Sequence, residues 1–169
     1  MITNDAALAD KLRRLRNGGQ TRKYHHVEFG VNSRLDEMQA AVLRVRLPWV
    51  PAWTSRRRAL AAAYRQALVG APAAVPPECD AGHVYHLFPV LTPERDALQA
   101  HLSGRGIGTL VHYPTALPEQ PAFVSYATAA CPVASRVARE VCSLPFHPHL
   151  SDEHLGVVAD AVRTFRPRT

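Results

Sequence analysis

A change of pattern at residues 70–77 sets the strongest limit on what this chain can fold into. Gly70 and the run Ala71–Pro77 contain three prolines and no periodic arrangement of apolar residues. Proline has no backbone N–H to give to a helix or a sheet, so such a run favours a linker. Apolar residues recur at helical spacing before it, and alternating runs also occur after it. The sequence therefore predicts helices first, then helices with a small sheet, in an α/β or α+β fold.

Three helices are predicted before this linker. The first begins after Asn4 and ends before Gly18, since asparagine and glycine are typical of helix starts and ends. The second opens at Asn32, and the third runs from about Trp53 to Leu68. The polar segment between the first two helices has no helical period, so we expect an irregular loop there.

Beyond the linker, strands and helices are expected to mix. The predicted strands and extended segments are His83–Leu91, Ile107–Tyr113 and Leu144–His149. The predicted helices follow the cap at Thr92, span Pro132–Cys142, and follow the cap at Ser151.

The composition is that of an ordinary globular protein. Hydrophobic residues make up 47% of the chain, and no apolar run approaches the roughly 20 residues that span a bilayer. The first five residues have no signal-peptide character, so we expect a cytoplasmic protein without a membrane partner. The three cysteines, Cys79, Cys131 and Cys142, are odd in number and far apart. We therefore expect free, buried thiols rather than a disulfide framework.

The net charge of +6 comes almost wholly from arginine, because Lys11 and Lys23 are the only lysines. The arginines are spread over several predicted helices, and no RNA-binding signature is present. We therefore expect no nucleic-acid partner. The cluster Arg56-Arg57-Arg58 is expected to be a solvated helix face.

Histidine is frequent, with nine in the chain. The close sets are His25-His26, His83 with His86, and His147 with His149. None of these sets comes with the cysteine, aspartate or glutamate partners of a defined site, so we expect no metal.

One segment carries more specific chemistry. Within Gly30–Ala41, the amide of Asn32 and the guanidinium of Arg34 stand where a loop is expected to meet a helix. Free backbone N–H groups at such a helix start favour phosphate. The alternative is an N-cap asparagine beside a surface arginine, and the residue chemistry alone favours that alternative.

The same segment resembles a family signature. Gly30–Ala41 is similar to the G-x-N-x-R-L-D-E-x-Q-A-A motif of the DegT/DnrJ/StrS aminotransferases, which aminate nucleotide-linked keto-sugars and aminocyclitol precursors. Further resemblances follow the family's order at Met1–Asp5, Leu15–Gly19, His83–His86, Gly106–Thr109 running into His112–Pro114, and Ser143–Pro148. Together these segments cover essentially all 169 residues.

The resemblance implies an α/β fold, the C-terminal part of a fold-type I aminotransferase that works as a homodimer. Residues 1–52 would be the tail of the large cofactor-binding domain, 53–79 a connecting helix and linker, and 80–169 the small domain. The implied cofactor is pyridoxal 5′-phosphate (PLP). The implied partners are a keto-sugar or cyclitol substrate and an amino-acid amine donor.

The resemblance also assigns roles to particular residues. Asn32 would reach across the dimer to hydrogen-bond the cofactor phosphate of the partner subunit, with Arg34 supporting that corner. The substrate-side residues would be Tyr24, His25 or His26, His112 and Tyr113.

No catalytic residue is expected within this chain. The Schiff-base lysine of the family would lie upstream of Met1, and Lys11 and Lys23 match helix and loop positions instead. A Schiff-base lysine needs a desolvated amine, and Lys11 stands in an arginine-rich helix without an obvious pocket.

Three functions remain open at this point. The first is a part of a PLP-dependent sugar aminotransferase. The second is a non-catalytic module that pairs with a full-length homologue or a separately encoded large domain. The third, a basic nucleic-acid binder, has only the charge in its favour.

In the isolated chain we expect residues 1 to about 52 to be poorly ordered or aggregation-prone, because apolar stripes would be exposed. Residues from about 80 to 169 are expected to fold alone.

Overall fold

Helices and short strands are mixed along the chain in a computed structural model that describes residues 2–126 and 129–167. The contacts between residues divide the chain into two compact units, Met1–Trp49 (unit 1) and Val50–Thr169 (unit 2). No helix among the described residues is long and apolar enough to cross a membrane. The predicted division at residues 52 and 79 into parts of a large and a small domain stays a prediction.

Unit 1 holds two helices with a short hairpin between them. Its elements are helix α1 (Ala6–Leu15), strands β1 (Gln20–Arg22) and β2 (His25–His26), helix α2 (Glu37–Arg46), and a 3-10 turn at Leu47–Trp49. Helix α1 starts where Oδ1 of Asp5 accepts a hydrogen bond from the amide of Leu8 at 3.1 Å. The N-cap is therefore Asp5, one residue later than the predicted Asn4.

Two glycines let the backbone cross itself closely in unit 1. A Cβ atom on Gly30 would lie only 2.3 Å from the nitrogen of Gly19, and one on Gly19 would lie 1.8 Å from the carbonyl oxygen of Glu28. Next to this crossing, the amide of Gly18 donates to the carbonyl of Val31 at 3.0 Å. Only a residue without a side chain fits at either glycine, so these two positions fix the path of the chain towards Asn32.

The apolar side chains of unit 1 are largely exposed. Neither α1 nor α2 contains a buried residue. The predicted stripe on the second helix, Leu35, Met38, Val42 and Val45, is exposed along its whole length, with Met38 84% exposed. This exposure is the feature on which the expected poor order of residues 1–52 depends, and that expectation stays a prediction.

Unit 2 contains the remaining regular elements. They are helix α3 (Val50–Ala67), strand β3 (Phe88–Leu91), helix α4 (Arg95–Ser103), helix α5 (Pro132–Glu140), strand β4 (Val141–Leu144) and helix α6 (Asp152–Thr164). Two 3-10 turns lie at Leu117–Glu119 and Val124–Tyr126. Helix α6 packs on α3 and α4. It is capped as predicted, since the Ser151 hydroxyl accepts from the amide of His154 at 3.1 Å.

Strand β4 is paired along both of its edges. Antiparallel to it lies β3, in a register that sets Phe88 opposite Leu144. On the other edge, Ser143 forms an isolated bridge with Leu110, and Ala74 extends the outer edge of β3 by a bridge to Leu91. All four residues of β4 are buried.

The core of unit 2 is built around a buried tyrosine. Tyr64 of α3 is fully buried, and its ring stacks on Phe88 with the ring centroids 4.8 Å apart. The Tyr64 hydroxyl donates to the carbonyl of Pro145 at 3.1 Å. A hydroxyl in such surroundings needs a partner, so this bond ties helix α3 to the chain that follows β4.

The predicted solvated face at Arg56-Arg57-Arg58 is only partly solvated, since Arg58 is exposed but Arg56 and Arg57 are half-buried, and all three side chains have protein partners. Arg56 donates to the carbonyl of Leu150 at 2.7 Å and to Asp152 at 2.8 Å. Arg57 donates to the carbonyls at residues 85 and 86, each at 3.0 Å, and Arg58 to those at residues 82 and 83. Successive helix positions point about 100° apart, so three long side chains in a row can reach three different segments.

The predicted strands are longer than those observed. In the region His83–Leu91 only the last four residues form a strand, because only they have β4 opposite. The region Ile107–Tyr113 contains a single bridge at Leu110. The third pairing segment is Val141–Leu144, so it ends where the predicted extended segment begins. Helix α5 correspondingly stops at Glu140.

Two further predicted elements differ from the structure, one in unit 1 and one at the start of unit 2. The segment from residue 20 to residue 31, expected to be an irregular loop, contains the β1–β2 hairpin. The third helix begins at Val50 rather than at about Trp53. Pro51 is tolerated there because the backbone N–H groups of the first helical turn have no acceptor within the helix.

All three cysteines are free, but only Cys142 is buried, so the predicted burial is wrong for Cys79 and Cys131.

Replacing Tyr64 with Phe should lower the free energy of unfolding of unit 2 by about 1 kcal/mol, because the Pro145 carbonyl loses its donor while the ring stack remains. Urea unfolding of the full chain measures this change. The matched control is Tyr126→Phe at a tyrosine that is 78% exposed, which should leave stability unchanged. Equal effects of the two substitutions would contradict the role given to the buried hydroxyl.

The same substitution should also change the dependence of stability on alkaline pH. Burial raises the pKa of Tyr64, so the unfolded chain ionises first as the pH passes about 10, and stability falls from there upward. Tyr64→Phe removes this contribution and should flatten the fall. Thermal unfolding between pH 8 and pH 11 measures it, with Tyr126→Phe again as the control.

The cysteines should react with thiol reagents at two very different rates. Burial raises the pKa of the Cys142 thiol, and the side chain is fully buried in β4. Cys79 and Cys131 are exposed, so both should be modified quickly and Cys142 only after unfolding. Titration with 5,5′-dithiobis(2-nitrobenzoate) counts the thiols in each phase. Loss of the fast phase, rather than the slow one, in Cys142→Ala would contradict this assignment.

Candidate functional site

A polar cleft lies beside the hairpin of unit 1. Its volume is about 380 Å³, and it is lined by Asn17, Gln20, Thr21, Arg22, Lys23, Tyr24 and Arg34. Three of these side chains are cationic and none is acidic, so the cleft favours an anionic group.

Asn32 is held beside this cleft by its backbone and by its side chain. Its backbone forms an antiparallel bridge with Asn17, and the next amide, that of Ser33, donates to the carbonyl of Arg16 at 2.8 Å. Nε of Arg34 donates to Oδ1 of Asn32 at 3.1 Å. Because Arg34 donates to the carbonyl oxygen, the amide NH₂ of Asn32 remains as the group that can donate to a ligand.

The predicted helix start at Asn32 is wrong. Helix α2 begins at Glu37, with Asp36 as its N-cap. Asn32 lies in the extended segment that pairs with Asn17, so the backbone amides of a helix N-terminus do not supplement its side chain. Any affinity of this corner for phosphate therefore depends on Asn32, Arg34 and the cations of the cleft.

The hairpin places the predicted residues Tyr24 and His25 differently. Tyr24 lies in the turn with φ of 65° and is 81% exposed, and its ring lies 5.0 Å from Nζ of Lys23. It lines the cleft. His25 belongs to the same hairpin, but Nδ1 of its ring is bonded to the Thr21 hydroxyl at 3.1 Å. The structure thus brings Tyr24, Asn32 and Arg34 together and leaves His25 at the margin.

The other two predicted residues, His112 and Tyr113, belong to unit 2. Their rings meet edge to face with centroids 5.7 Å apart. The Tyr113 side chain is 74% exposed, whereas His112 is half-buried and bonded through Nδ1 to the Ser143 hydroxyl at 2.9 Å. The bond to buried Ser143 therefore fixes the His112 ring, and the Tyr113 ring remains open to solvent.

The residues of the cleft fit one end of PLP. The amide of Asn32 and the cations Arg22, Lys23 and Arg34 suit a phosphate group. A pyridine ring needs aromatic or apolar cover and a carboxylate at its nitrogen, and the described lining offers Tyr24 as its single aromatic side chain and no carboxylate.

Neither lysine fits the position that forms a Schiff base with the cofactor. Lys11 and Lys23 are both exposed, whereas such a lysine is activated by desolvation. No group of three or more histidine, cysteine, aspartate or glutamate side chains within residues 2–126 and 129–167 is placed to hold a metal ion.

Sequence reasoning missed two parts of these sites. Asn17 and Gln20 line the cleft, and the turn motif after α1 was the only signal near them. Ser143 supports His112 although 31 residues separate them, and no local pattern could indicate that contact.

The comparisons with known proteins agree over nearly the whole chain. The chain is 47% identical over 172 residues to a dTDP-3-amino-3,4,6-trideoxy-alpha-D-glucose transaminase of Streptomyces venezuelae, covering 99% of this chain and 45% of that protein. It is 41% identical over 165 residues to a UDP-N-acetyl-3-dehydro-alpha-D-glucosamine 3-aminotransferase of Acidithiobacillus ferrooxidans, covering 96% of this chain and 44% of that protein. The chain thus spans a little under half the length of the curated relatives it matches.

Solved structures give the same result for the fold. The crystal structure of S. venezuelae DesV in complex with a ketimine intermediate superposes with a TM-score of 0.86 at 48% identity, covering 96% of this chain and 45% of that one. A DegT/DnrJ/EryC1/StrS aminotransferase from Brucella abortus superposes with a TM-score of 0.84 at 34% identity, covering 96% of this chain and 44% of that one. These superpositions confirm the predicted fold class, an α/β part of a fold-type I aminotransferase.

The family signature noted in the sequence is one piece of a longer match. The profile of the DegT/DnrJ/EryC1/StrS aminotransferase family, whose members are PLP-dependent, matches residues 1–163. With the relatives and structures above, this match confirms the resemblance, and the chain belongs to the DegT/DnrJ/EryC1/StrS aminotransferase family.

Proposed function

We propose that this chain forms part of a PLP-dependent aminotransferase that aminates a nucleotide-linked keto-sugar or an aminocyclitol precursor. The observation that carries the proposal is the Asn32–Arg34 pair beside a cationic cleft, in a chain that belongs to this family. The relatives support the substrate class, because their names describe transaminases of dTDP-linked and UDP-linked sugars. An amino acid serves as the amine donor.

Within that enzyme, unit 1 contributes to the phosphate end of the cofactor site. The Asn32 amide donates to the phosphate of the PLP bound by the partner subunit of a homodimer, and Arg34 keeps that amide in the donating orientation. The cations that line the cleft offset the negative charge. PLP supplies the electron sink that amine transfer needs, and this chain positions the cofactor through its phosphate group.

The remaining residues act on the substrate side. Tyr24 and Tyr113 expose flat aromatic faces, which suit a sugar or a base. His25 and His112 offer ring nitrogens to hydroxyl or phosphate oxygens. None of these residues replaces the lysine that holds the cofactor, so that lysine belongs to a different segment of the functional enzyme.

A chimeric enzyme tests the proposal. In it, this chain replaces the matching 45% of the S. venezuelae transaminase, and amine transfer to the dTDP-keto-sugar of that relative is measured. Restored transamination supports the proposal, and a folded dimeric chimera that binds PLP but transfers no amine would contradict it.

The second function, a complementing module, makes a different prediction in the same system. It is favoured by the exposed apolar side chains of unit 1, Leu35, Met38, Val42 and Val45. The chain supplied as a separate polypeptide would then restore activity to the remaining part of the relative. Activity only in the covalent chimera argues for the first function.

In the chimera, Asn32→Ala should weaken PLP binding roughly ten- to a hundred-fold, because a hydrogen bond to a charged group is worth about 1.5–3 kcal/mol. Arg34→Ala should have a smaller effect in the same direction, since the amide remains but is free to flip. Fluorescence titration of the apo-chimera with PLP measures both dissociation constants.

The matched control for this pair is Arg44→Ala, which removes an exposed arginine of the same unit that does not line the cleft. Its dissociation constant should stay at the unmodified value. An Asn32→Ala dissociation constant as low as that of Arg44→Ala would exclude the phosphate contact.

A further inference from the structure

Ser143 is a buried polar residue at the centre of unit 2. The residue lies in the middle of β4 and is only 5% exposed. Its backbone N–H donates to the carbonyl of Leu110 at 2.8 Å, and its carbonyl accepts from the Leu110 amide at 3.3 Å. The backbone of Ser143 is therefore satisfied by strand pairing, and the hydroxyl remains to be accounted for.

The hydroxyl has one partner within the described part of the chain. Oγ of Ser143 lies 2.9 Å from Nδ1 of His112. A serine hydroxyl carries one proton and can also accept, whereas a neutral imidazole carries its proton on one nitrogen only. Two arrangements are thus possible, in which either the serine or the histidine is the donor.

The cost of burial separates the two arrangements. If Nδ1–H donated to Oγ, the hydroxyl proton would have no acceptor among the described residues and would be buried unsatisfied. If the hydroxyl donates to Nδ1, its proton is used, and the imidazole proton must then sit on Nε2. Nε2 has no hydrogen-bond partner in the described part of the chain, so that N–H is available to a ligand.

We propose that Ser143 is a positioning residue that holds His112 as the Nε2–H tautomer, so that this histidine presents a hydrogen-bond donor to an oxygen of the nucleotide-linked sugar. The inference rests on the proposed function for the identity of the ligand, but not for the tautomer. Ser143 does not touch the substrate, and it acts only through the ring of His112.

The proposal restricts what His112 can do. In this tautomer Nδ1 accepts the hydrogen bond from the Ser143 hydroxyl, and Nε2 carries the ring proton. The neutral ring therefore has no free lone pair that could take a proton from the substrate. His112 therefore binds and orients an oxygen acceptor and does not act as a general base. The exposed ring of Tyr113 lies edge to face with the His112 ring, with the two ring centroids 5.7 Å apart.

The tautomer can be measured directly on the full chain. Two-bond ¹H–¹⁵N correlation spectra of ¹⁵N-histidine-labelled protein at pH 8 distinguish Nε2–H from Nδ1–H, and the His112 signals are assigned by their loss in His112→Gln. We expect the Nε2–H pattern in the unmodified chain. In Ser143→Ala the two nitrogen shifts should move towards the average of a mobile ring, and Ser143→Thr should restore the pattern. Ser103→Ala, at an exposed serine in the same unit, is the control.

Two outcomes would overturn the proposal. An Nδ1–H pattern in the unmodified chain does so alone, even if Ser143→Ala does not fold. An unchanged pattern in a folded Ser143→Ala does so as well.

In the chimeric transaminase, Ser143→Ala should raise the KM for the nucleotide sugar roughly five-fold, with recovery in Ser143→Thr. Failure of the proposed function appears as an inactive chimera and leaves the tautomer result standing, so the two ideas fail separately.

Discussion

Pairing of β4 along both edges is the constraint on which unit 2 depends. One edge meets β3 and the other meets Leu110, so a four-residue strand acts as the centre of a small sheet. Its two inner residues then serve different purposes. Cys142 is fully buried in the hydrophobic core, and Ser143 supports the histidine expected at the substrate side. A shift of register by one residue would exchange these two faces, which ties the candidate site to the packing of the core.

Unit 1 reaches its site by a different device. The chain passes close to itself at Gly19 and Gly30, and this crossing carries Asn32 alongside Asn17. The signature glycine therefore has a steric role, and the arginine of the same signature has an orienting one through its bond to Asn32. The close crossing at Gly19 and Gly30 and the bond from Arg34 together place the Asn32 amide as a donor beside the cationic cleft.

Local chemistry could be predicted from the sequence, and long-range partners could not. The caps and apolar stripes gave six helices with modest errors at their ends, because each signal lies within one or two turns. Strand lengths were overestimated, since alternation in His83–Leu91 says nothing of how many residues find a partner. The signature singled out Asn32 and Arg34 but placed them at a helix start. The bond between His112 and Ser143, and the partners of Arg56–Arg58, join residues far apart in the chain, for which one sequence holds no signal.

Those three arginines have a consequence for the conditions under which unit 2 keeps its shape. Most of their partners are backbone carbonyls rather than carboxylates. A carbonyl oxygen does not titrate, and a guanidinium stays protonated in proteins. Dipole partners also respond less to added salt than a pair of exposed opposite charges does. The loop at residues 82–86 is consequently anchored by contacts that neither mild acid nor high ionic strength removes.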